Sequence, residues 1–282
     1  MLILRRAEEA RAFARSCRAR GETVGLVPTM GFLHEGHLSL IGIASERASK
    51  TMVTLFVNPL QFGPSEDLDR YPRDFERDRA LCEKAGADAL FAPGAGEMYP
   101  QGFATRVEVA GPLTAGLCGA RRPGHFTGVA TVVTKLFAIC EPDVAVFGQK
   151  DAQQAAVIRR LVEDLNLPIE IIVAPIVREA DGLAMSSRNA YLTEEERRQA
   201  PALKAALDKA QKLCHGGERD AETLLESVRA VVGSAPLARL EYAELVDPST
   251  LEPVSTVRGP ALLALAAFFG RTRLIDNAIL VP

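Results

Sequence analysis

Short apolar runs alternate with helical patterns from the start of this chain to about Pro175, and this alternation constrains the fold most. The runs TVGLV, TMVTLFV, VAVF and IEIIV are rich in β-branched residues, and helical patterns separate them. Strands that helices cover on both faces read as continuous apolar runs, and strand–helix–strand units form parallel sheets. The sequence therefore predicts an α/β fold with a parallel sheet.

The pattern changes after about Pro175. Asp181-Gly182 is a turn signal, and Thr193 precedes a run of glutamates that is typical of the first turn of a helix. We expect two helices and two strands, LEYAELV and ALLALAAF, to complete the chain. We therefore predict a first domain over residues 1–176 and a smaller α+β domain over residues 177–282.

Composition narrows the choice of partner. The chain has 282 residues, of which 48% are hydrophobic and 24% charged, and its net charge is −3 with no basic block. We therefore expect no nucleic-acid partner. No apolar stretch approaches the roughly 20 residues that span a bilayer, and the N-terminus lacks the apolar core of a secretory signal. We expect a cytoplasmic protein, no membrane partner, and reduced thiols at its 5 scattered cysteines.

The segment PTMGFLHEGHLSL follows the first predicted strand of the sheet. Gly31 and Gly36 allow the backbone to turn and approach a ligand, and a helix that begins near Gly36 offers free N–H groups to an anion. His34 and His37, spaced i, i+3, can face one ligand and donate hydrogen bonds to phosphate oxygens as charge grows there. The alternatives are two satisfied surface histidines, or a zinc site for which no third ligand is evident.

The segment FGQKDAQQ directly follows another predicted strand. Gly148 can end that strand, and Lys150 at the turn into a helix is suited to bind phosphates as a point charge. Asp151 can cap the helix or accept hydrogen bonds from a ribose. Gln154 lies one turn further, on the same side as Lys150.

The segment LAMSSRNAYL supplies a polar cluster after the Asp181-Gly182 turn. Ser186, Ser187 and Arg188 offer two hydroxyls and a fork of donors, which suits a polyphosphate. The alternative is a polar loop with turns closed by serine hydroxyls.

Two further segments carry polar side chains. In FVNPLQF, Asn58 and Gln61 can recognise hydroxyl and carboxylate groups without adding charge, although Asn58-Pro59 also reads as a simple turn. In RRPGHFTG, Arg122, His125 and Gly128 form a basic, flexible approach to a helix N-terminus. That segment fits either a phosphate-binding arginine or a solvated loop.

Together, these segments resemble the pantoate–β-alanine ligases, also called pantothenate synthetases. PTMGFLHEGH, FVNPLQF, RPGHFTG, FGQKDAQQ and DGLAMSSRNAYL occur in the order seen in that family. The HxGH element also resembles the "HIGH" signature of nucleotidylyltransferases and class I aminoacyl-tRNA synthetases, and MSSR resembles their "KMSKS" loop. The resemblance implies a Rossmann-like, doubly wound sheet, a small C-terminal lid domain and a homodimer.

The resemblance also implies a reaction and its residues. D-pantoate attacks the α-phosphorus of ATP with Mg²⁺, giving pantoyl adenylate and pyrophosphate, and β-alanine then gives pantothenate and AMP. The implied catalytic residues are His34, His37 and Lys150, with no metal ligand assigned. The implied ATP-binding residues are Pro28, Thr29, Met30, Gly31, His34, His37, Gly148, Lys150, Asp151, Val177, Met185, Ser186, Ser187 and Arg188. The implied substrate residues are Asn58, Gln61, Arg122 and Gln154.

The chain departs from the family pattern at a few positions. Gln149 stands where we expect glutamate, Ala152 where a bulky residue is common, and Leu60 where methionine is frequent. None of these removes an expected phosphate or substrate contact.

Two rival functions remain open from the sequence. A nucleotidylyltransferase with a phosphate acceptor would share HxGH, but it would favour Arg or Lys where Gln61 and Gln154 stand. A non-catalytic nucleotide-binding protein would have no need of His34, His37, Lys150 and Arg188 together.

Overall fold

A computed structural model describes residues 1–64 and 66–282, and their contacts divide into two compact units. Unit 1 comprises Met1–Val109, Arg122–Gly148 and Val157–Pro175. Unit 2 comprises Ala110–Arg121, Gln149–Ala156 and Ile176–Pro282. The single boundary between residues 176 and 177 stays a prediction.

Unit 1 is built on a parallel sheet, which confirms the predicted α/β fold. Its strands are β1 Leu2–Leu4, β2 Val24–Thr29, β3 Lys50–Leu55, β4 Ala89–Phe91, β5 Val144–Gly148 and β6 Glu170–Ala174. They lie in the order β1-β4-β3-β2-β5-β6, and neighbouring strands pair in parallel. The edge strand β1 is absent from our sequence prediction because its three residues are too few to show a pattern.

Helices connect these strands and make up much of unit 2. In chain order they are α1 Ala7–Ala19, α2 Glu35–Arg47, α3 Phe75–Lys84, α4 Ala95–Met98, α5 Pro112–Ala115, α6 Leu117–Arg121, α7 His125–Cys140, α8 Ala152–Asp164, α9 Glu194–Gln199, α10 Ala202–His215 and α11 Ala221–Gly233. Short 3-10 helices occupy Pro59–Gln61, Gln149–Asp151 and Ser187–Tyr191. Among the described residues, no helix is both long enough and apolar enough to cross a membrane.

The core of unit 1 places β2 at the centre of the sheet, between β3 and β5. Val27 of β2 and Val53 of β3 are fully buried, and Ile41 of α2 packs with them. Burial of such side chains stabilises the fold by roughly 1.5–3 kcal/mol each. The first motif therefore begins at the carboxyl end of a central strand whose residues are mostly buried.

Unit 2 contains an antiparallel sheet with helices packed on it, which confirms the predicted smaller α+β part. Its strands are β7 Ala238–Val246, β8 Ala261–Phe269 and β9 Thr272–Leu280, in that order. Leu203 and Leu207 of α10 and Leu224 of α11 are fully buried in a cluster with Leu263 and Leu265 of β8.

The prediction of two strands in this part of the chain is wrong, because β9 is a further strand. The consecutive polar residues Asp276 and Asn277 lie in the middle of β9, and both are buried. Buried polar residues break the apolar pattern by which a strand is recognised in sequence. The predicted start of α9 is confirmed, since the Thr193 hydroxyl accepts a hydrogen bond from the Glu196 backbone N–H at 3.3 Å.

Helix α7 approaches the 3-10 helix at Pro59–Gln61 closely. A Cβ added to Gly128 would lie 2.3 Å from the carbonyl oxygen of Leu60. Gly128 therefore lies within a regular helix that begins at His125, and not in the flexible approach that we predicted. Its lack of a side chain is what permits the contact.

Replacing Gly128 with alanine should therefore destabilise unit 1. We expect Gly128→Ala to lower the free energy of unfolding by about 1–3 kcal/mol, because the added methyl group clashes with backbone that cannot easily move. Urea denaturation measures this change. The matched control is Gly42→Ala in α2, where an added Cβ meets nothing within 4 Å. An unchanged stability of Gly128→Ala would contradict the close approach.

Candidate active site

The first motif begins where β2 ends. The Thr29 hydroxyl donates to the carbonyl oxygen of Thr54 at 2.7 Å and accepts from the Gly31 backbone N–H at 3.3 Å. Gly31 has a φ of +93°, and a Cβ there would lie 3.0 Å from a carboxylate oxygen of Asp78. Both the backbone conformation and the close contact favour glycine at this position.

The buried carboxylate of Asp78 on α3 holds this loop. Its oxygens accept hydrogen bonds from the backbone N–H groups of Phe32 and Leu33 at 2.7 and 2.8 Å. Burial raises the pKa of the Asp78 carboxyl above its ordinary value, and the two backbone hydrogen bonds oppose that shift. The sequence prediction misses Asp78, since nothing local links it to a loop more than forty positions earlier.

The two histidines of the motif lie together at the N-terminus of α2. His34 is the cap residue of this helix, and the His34 and His37 ring centroids are 4.1 Å apart. The His34 backbone N–H donates to Nδ1 of His37 at 3.3 Å. Because a backbone N–H can only donate, this contact favours the neutral His37 tautomer whose proton is on Nε2. His37 then offers an N–H donor beside the N–H groups of the first helical turn.

The amides of Asn58 and Gln61 form a buried network in unit 1. The Asn58 Oδ1 accepts from the Tyr99 hydroxyl at 2.7 Å and from the Leu60 backbone N–H at 3.3 Å. The Asn58 Nδ2 donates to Gln61 Oε1 and to the carbonyl oxygen of Gly128, both at 3.1 Å. The Gln61 Nε2 lies 3.1 Å from the sulfur of Met30. Asn58 thus orients Gln61, and the donor side of the Gln61 amide lies beside the first motif.

Arg122 is engaged by protein groups of the same unit. Its guanidinium donates two hydrogen bonds to the Glu66 carboxylate at 2.7 and 2.6 Å, and another to Nε2 of His125 at 3.0 Å. Burial raises the pKa of Glu66, but the hydrogen bonds and charge of Arg122 outweigh it and hold that pKa below its ordinary value. His125 Nδ1 in turn donates to the carbonyl oxygen of Gln61 at 2.8 Å. These contacts brace the Gln61 backbone.

The second motif forms a 3-10 helix directly after β5, at Gln149–Asp151. Lys150 is mostly buried, and its Nζ lies 3.9 Å from a carboxylate oxygen of Asp151. The amide nitrogen of Asn277 donates to the carbonyl oxygens of Gln149 and Lys150 at 2.9 and 3.0 Å. Gln154 follows near the start of α8 and is partly buried.

The third motif belongs to a hairpin-like segment of unit 2. The Met185 backbone N–H donates to the carbonyl oxygen of Val177 at 3.0 Å, so the two expected adenine contacts lie opposite each other. Gly182, with a φ of +92°, allows the turn between them. The Ser186 hydroxyl accepts from the Arg188 backbone N–H at 3.2 Å, and Ser187 is buried.

Strand β9 supports both segments of unit 2. Arg178, next to Val177, donates two hydrogen bonds to the buried carboxylate of Asp276 at 2.7 and 2.9 Å. Asn277, the following residue, holds the segment that carries Lys150. Sequence reasoning misses both side chains, because it fails to recognise the strand that carries them. The signal that could have found them is a pair of adjacent polar residues inside an otherwise apolar run.

The predicted site residues are divided between the two units. Unit 1 brings together Pro28, Thr29, Met30, Gly31, His34, His37, Asn58, Gln61 and Arg122. Unit 2 holds Lys150, Asp151, Gln154, Val177, Met185, Ser186, Ser187 and Arg188, while Gly148 ends β5 in unit 1. Within residues 1–64 and 66–282, no group of three or more His, Cys, Asp or Glu side chains is arranged to hold a metal ion.

Replacing Asp78 should loosen the loop that precedes His34. In Asp78→Asn, the side-chain amide nitrogen would face one of the two backbone N–H groups that now donate to the carboxylate. Two donors cannot form a hydrogen bond with each other. We expect amide hydrogen exchange at Phe32 or Leu33 to become about 10-fold faster or more, as a hydrogen bond to a charged group is lost. NMR exchange rates measure this. The control is Asp69→Asn, an exposed site in the same unit, and unchanged protection of both amides would refute the role of Asp78.

The Arg122–Glu66 pair should make stability depend on pH in a defined direction. Folding lowers the pKa of Glu66. The carboxylate therefore contributes to the free energy of unfolding above the unfolded pKa of about 4.3, and this contribution is lost as the pH falls through the folded pKa. We expect Glu66→Gln to lower the free energy of unfolding by about 1–3 kcal/mol at neutral pH. This deficit should shrink as the pH falls below about 4.

Denaturant unfolding of wild type and variant at several pH values measures this deficit. Glu76→Gln is the control, because Glu76 pairs with Arg79 on the surface and exposed ion pairs contribute little. A deficit in Glu66→Gln that stays constant with pH would contradict the assignment.

Comparison with known proteins identifies the family to which the chain is similar. The chain matches the family model described as pantoate-beta-alanine ligase over residues 2–279. It is 55% identical over 280 residues to the pantothenate synthetase of Pelotomaculum thermopropionicum, covering 99% of each chain. A solved pantothenate synthetase of Thermus thermophilus is 48% identical, with a TM-score of 0.95 and full coverage of both chains.

A more distant relative has been solved as a complex with ligands. The pantoate-beta-alanine ligase of Francisella tularensis, described as complexed with beta-gamma ATP and beta-alanine, is 32% identical, with a TM-score of 0.82 over 99% of this chain and 97% of that one. With the family model matched over nearly the whole chain, this protein belongs to the pantoate-beta-alanine ligase family.

Proposed function

We propose that this protein condenses D-pantoate with β-alanine at the expense of ATP, through a pantoyl adenylate. The observation that carries the proposal is the pair of imidazoles at the N-terminus of α2, with His37 held as an N–H donor by the His34 backbone. The name of the family states the two organic substrates, pantoate and β-alanine. The Francisella relative was solved in complex with beta-gamma ATP and beta-alanine.

From unit 1, we assign the segment Pro28–Gly31 and both histidines to ATP. His34 and His37 would donate to phosphate oxygens, where negative charge develops as pyrophosphate leaves. The first-turn N–H groups of α2 favour an anion at the same place. Asp78 is the support for this arrangement, because it fixes the loop on which His34 is carried.

For pantoate, we assign Gln61 as the direct contact in unit 1. Its Oε1 accepts from Asn58, so its Nε2 is the side that offers donors to a carboxylate or hydroxyl oxygen. Asn58 and Arg122 serve that contact indirectly, since their polar atoms bind Tyr99, Gly128, Glu66 and Gln61. Neutral amides suit pantoate better than a phosphate-bearing acceptor, which would favour Arg or Lys.

From unit 2, we assign Lys150 to the ATP phosphates and the attacking carboxylate. Gly148 and Asp151 would contact the nucleoside, and Val177 and Met185 the adenine. Ser186, Ser187 and Arg188 would bind phosphates, and Gln154 would contact pantoate. These roles follow the family resemblance, and the pairing of Met185 with Val177 supports a shared role for those two residues.

The reaction then balances in two steps. A carboxylate oxygen of pantoate forms a bond to the α-phosphorus, the bond from that phosphorus to the bridging oxygen breaks, and pyrophosphate leaves. The amine of β-alanine then forms a bond to the acyl carbon, AMP leaves with the former carboxylate oxygen, and the amine releases a proton to solvent. The residues contribute by positioning anions and stabilising charge, so no covalent nucleophile is needed.

Mg²⁺ fits this scheme as a partner of the ATP phosphates. Mg²⁺ is usually held by substrate phosphates, waters and one or two carboxylates. Asp151 is the carboxylate of the assigned ATP-binding set and is assigned to the nucleoside, so the ATP phosphates and waters would hold Mg²⁺. When bound, Mg²⁺ would neutralise phosphate charge. The homodimer and the cytoplasmic location stay predictions.

Product formation with defined substrates tests the proposal. We expect AMP release from ATP and Mg²⁺ only when D-pantoate and β-alanine are both present, and exchange of labelled pyrophosphate into ATP with pantoate alone. AMP and pyrophosphate are measured chromatographically. Turnover with a phosphate-bearing acceptor, and none with pantoate, would replace this function with that of a nucleotidylyltransferase.

Two substitutions test the assigned roles. We expect His37→Ala and Lys150→Ala each to lower kcat by about 100-fold or more, because each removes a group that stabilises transition-state charge. Their thermal unfolding should stay near that of wild type.

The controls are His215→Ala and Lys212→Ala, two exposed positions at the end of α10. Near-normal turnover of His37→Ala or Lys150→Ala would remove that residue from the mechanism.

A further inference from the structure

We propose that Asn277 is a positioning residue for Lys150, acting through the backbone of the segment that carries it. This inference rests on the proposed function, since it concerns how Lys150 is placed for phosphate binding. Asn277 lies on β9, more than a hundred positions from Lys150, and only 4% of its surface is exposed.

The Asn277 amide holds the backbone of the lysine segment at two points. Its Nδ2 donates to the carbonyl oxygens of Gln149 and Lys150 at 2.9 and 3.0 Å. An amide nitrogen has two hydrogens, so both are used here. Lys150 carries its ammonium group on a stem of limited length, so the backbone position sets the centre of the volume that this group can reach.

The orientation of this amide is determined by its partners. Carbonyl oxygens can only accept, so the nitrogen of Asn277 must face them and Oδ1 must face the other way. That oxygen accepts from Nε2 of Gln149 at 3.0 Å. Gln149 departs from the glutamate that the family resemblance leads us to expect, and here it supplies the donor that the Asn277 oxygen requires.

Strand β9, which carries Asn277, is held by backbone pairing. β9 pairs with β8 along its whole length, and Asn277 lies opposite Ala264 in that pairing. The preceding residue, Asp276, holds Arg178 and accepts from the Asn277 backbone N–H at 2.8 Å. A site residue held by a packed strand keeps its geometry better than one held by a loop alone.

The variant Asn277→Asp tests this role with little change of shape. Its carboxylate has no donor and would face two carbonyl oxygens, so the lysine segment should move away. We expect kcat for pyrophosphate formation from ATP, pantoate and β-alanine to fall by about 100-fold, the cost of a misplacement near 1 Å. Asn277→Leu removes the same hydrogen bonds without burying a charge, and we expect the same loss of rate. It serves as the test if Asn277→Asp folds poorly.

Combination with Lys150→Ala separates positioning from a general structural role. If Asn277 acts through Lys150, Asn277→Asp should cause no further loss of rate once Lys150 is alanine. If Asn277 had only a general structural role, Asn277→Asp would lower the rate by the same factor in the Lys150→Ala background as in the wild-type background. The matched control is Gln211→Glu, because Gln211 also donates its amide to the backbone of β9, at the Ile279 carbonyl. This control should keep wild-type turnover.

Each outcome decides the inference. A large loss in Asn277→Asp that disappears in the Lys150→Ala background supports it. Wild-type rates in both Asn277 variants, or additive losses in the double variant, overturn it and leave the proposed function standing. Normal turnover of Lys150→Ala overturns it together with the role of that lysine. Absence of pyrophosphate formation by wild type overturns the proposed function and this inference with it.

Discussion

The hydrogen bonds from the backbone N–H groups of Phe32 and Leu33 to the Asp78 carboxylate determine the geometry on which the histidine site depends. The loop between β2 and α2 contains Gly31 and Phe32 at positive φ, a conformation that a free loop would populate only in part. A buried acceptor with two oxygens stabilises that conformation. The helix that follows then presents His34 and His37 at its N-terminus, with the rings in contact.

Unit 2 uses the complementary arrangement. There Gln149 and Lys150 present carbonyl oxygens, and the buried side chain of Asn277 supplies the donors. Its neighbour Asp276 accepts from Arg178, in the segment that pairs Val177 with Met185. Because successive residues of a strand point to opposite faces, one pair of residues can brace two separate segments. In both units a buried polar side chain fixes the backbone of a segment that carries proposed site residues.

These supports explain which parts of the molecule could be predicted from sequence. The apolar runs of β2, β3, β5 and β6 are recognisable in the sequence, and the motifs that follow them are local in the chain. β9 is hidden because Asp276 and Asn277 interrupt its apolar pattern, and Asp78 because its partners lie far away in sequence. Arg122 shows a different limit of sequence-based prediction, because residue type alone does not reveal partners within the protein. Its type suits phosphate, but only the structure reveals that Glu66 and His125 already bind its guanidinium.

The orientation of the Gln61 amide shows how contacts between residues distant in sequence can orient a proposed substrate-binding group. Burial raises the pKa of the Tyr99 phenol to about 12, so at neutral pH its hydroxyl is protonated and donates to Asn58 Oδ1. The carbonyl of Gly128 requires the other side of the Asn58 amide to donate, and that same nitrogen donates to Gln61 Oε1. The Gln61 Nε2, which also contacts the Met30 sulfur, is then the side of the amide that can donate to a ligand. This orientation suits a ligand with acceptor oxygens, as the proposed contact of Gln61 with pantoate requires.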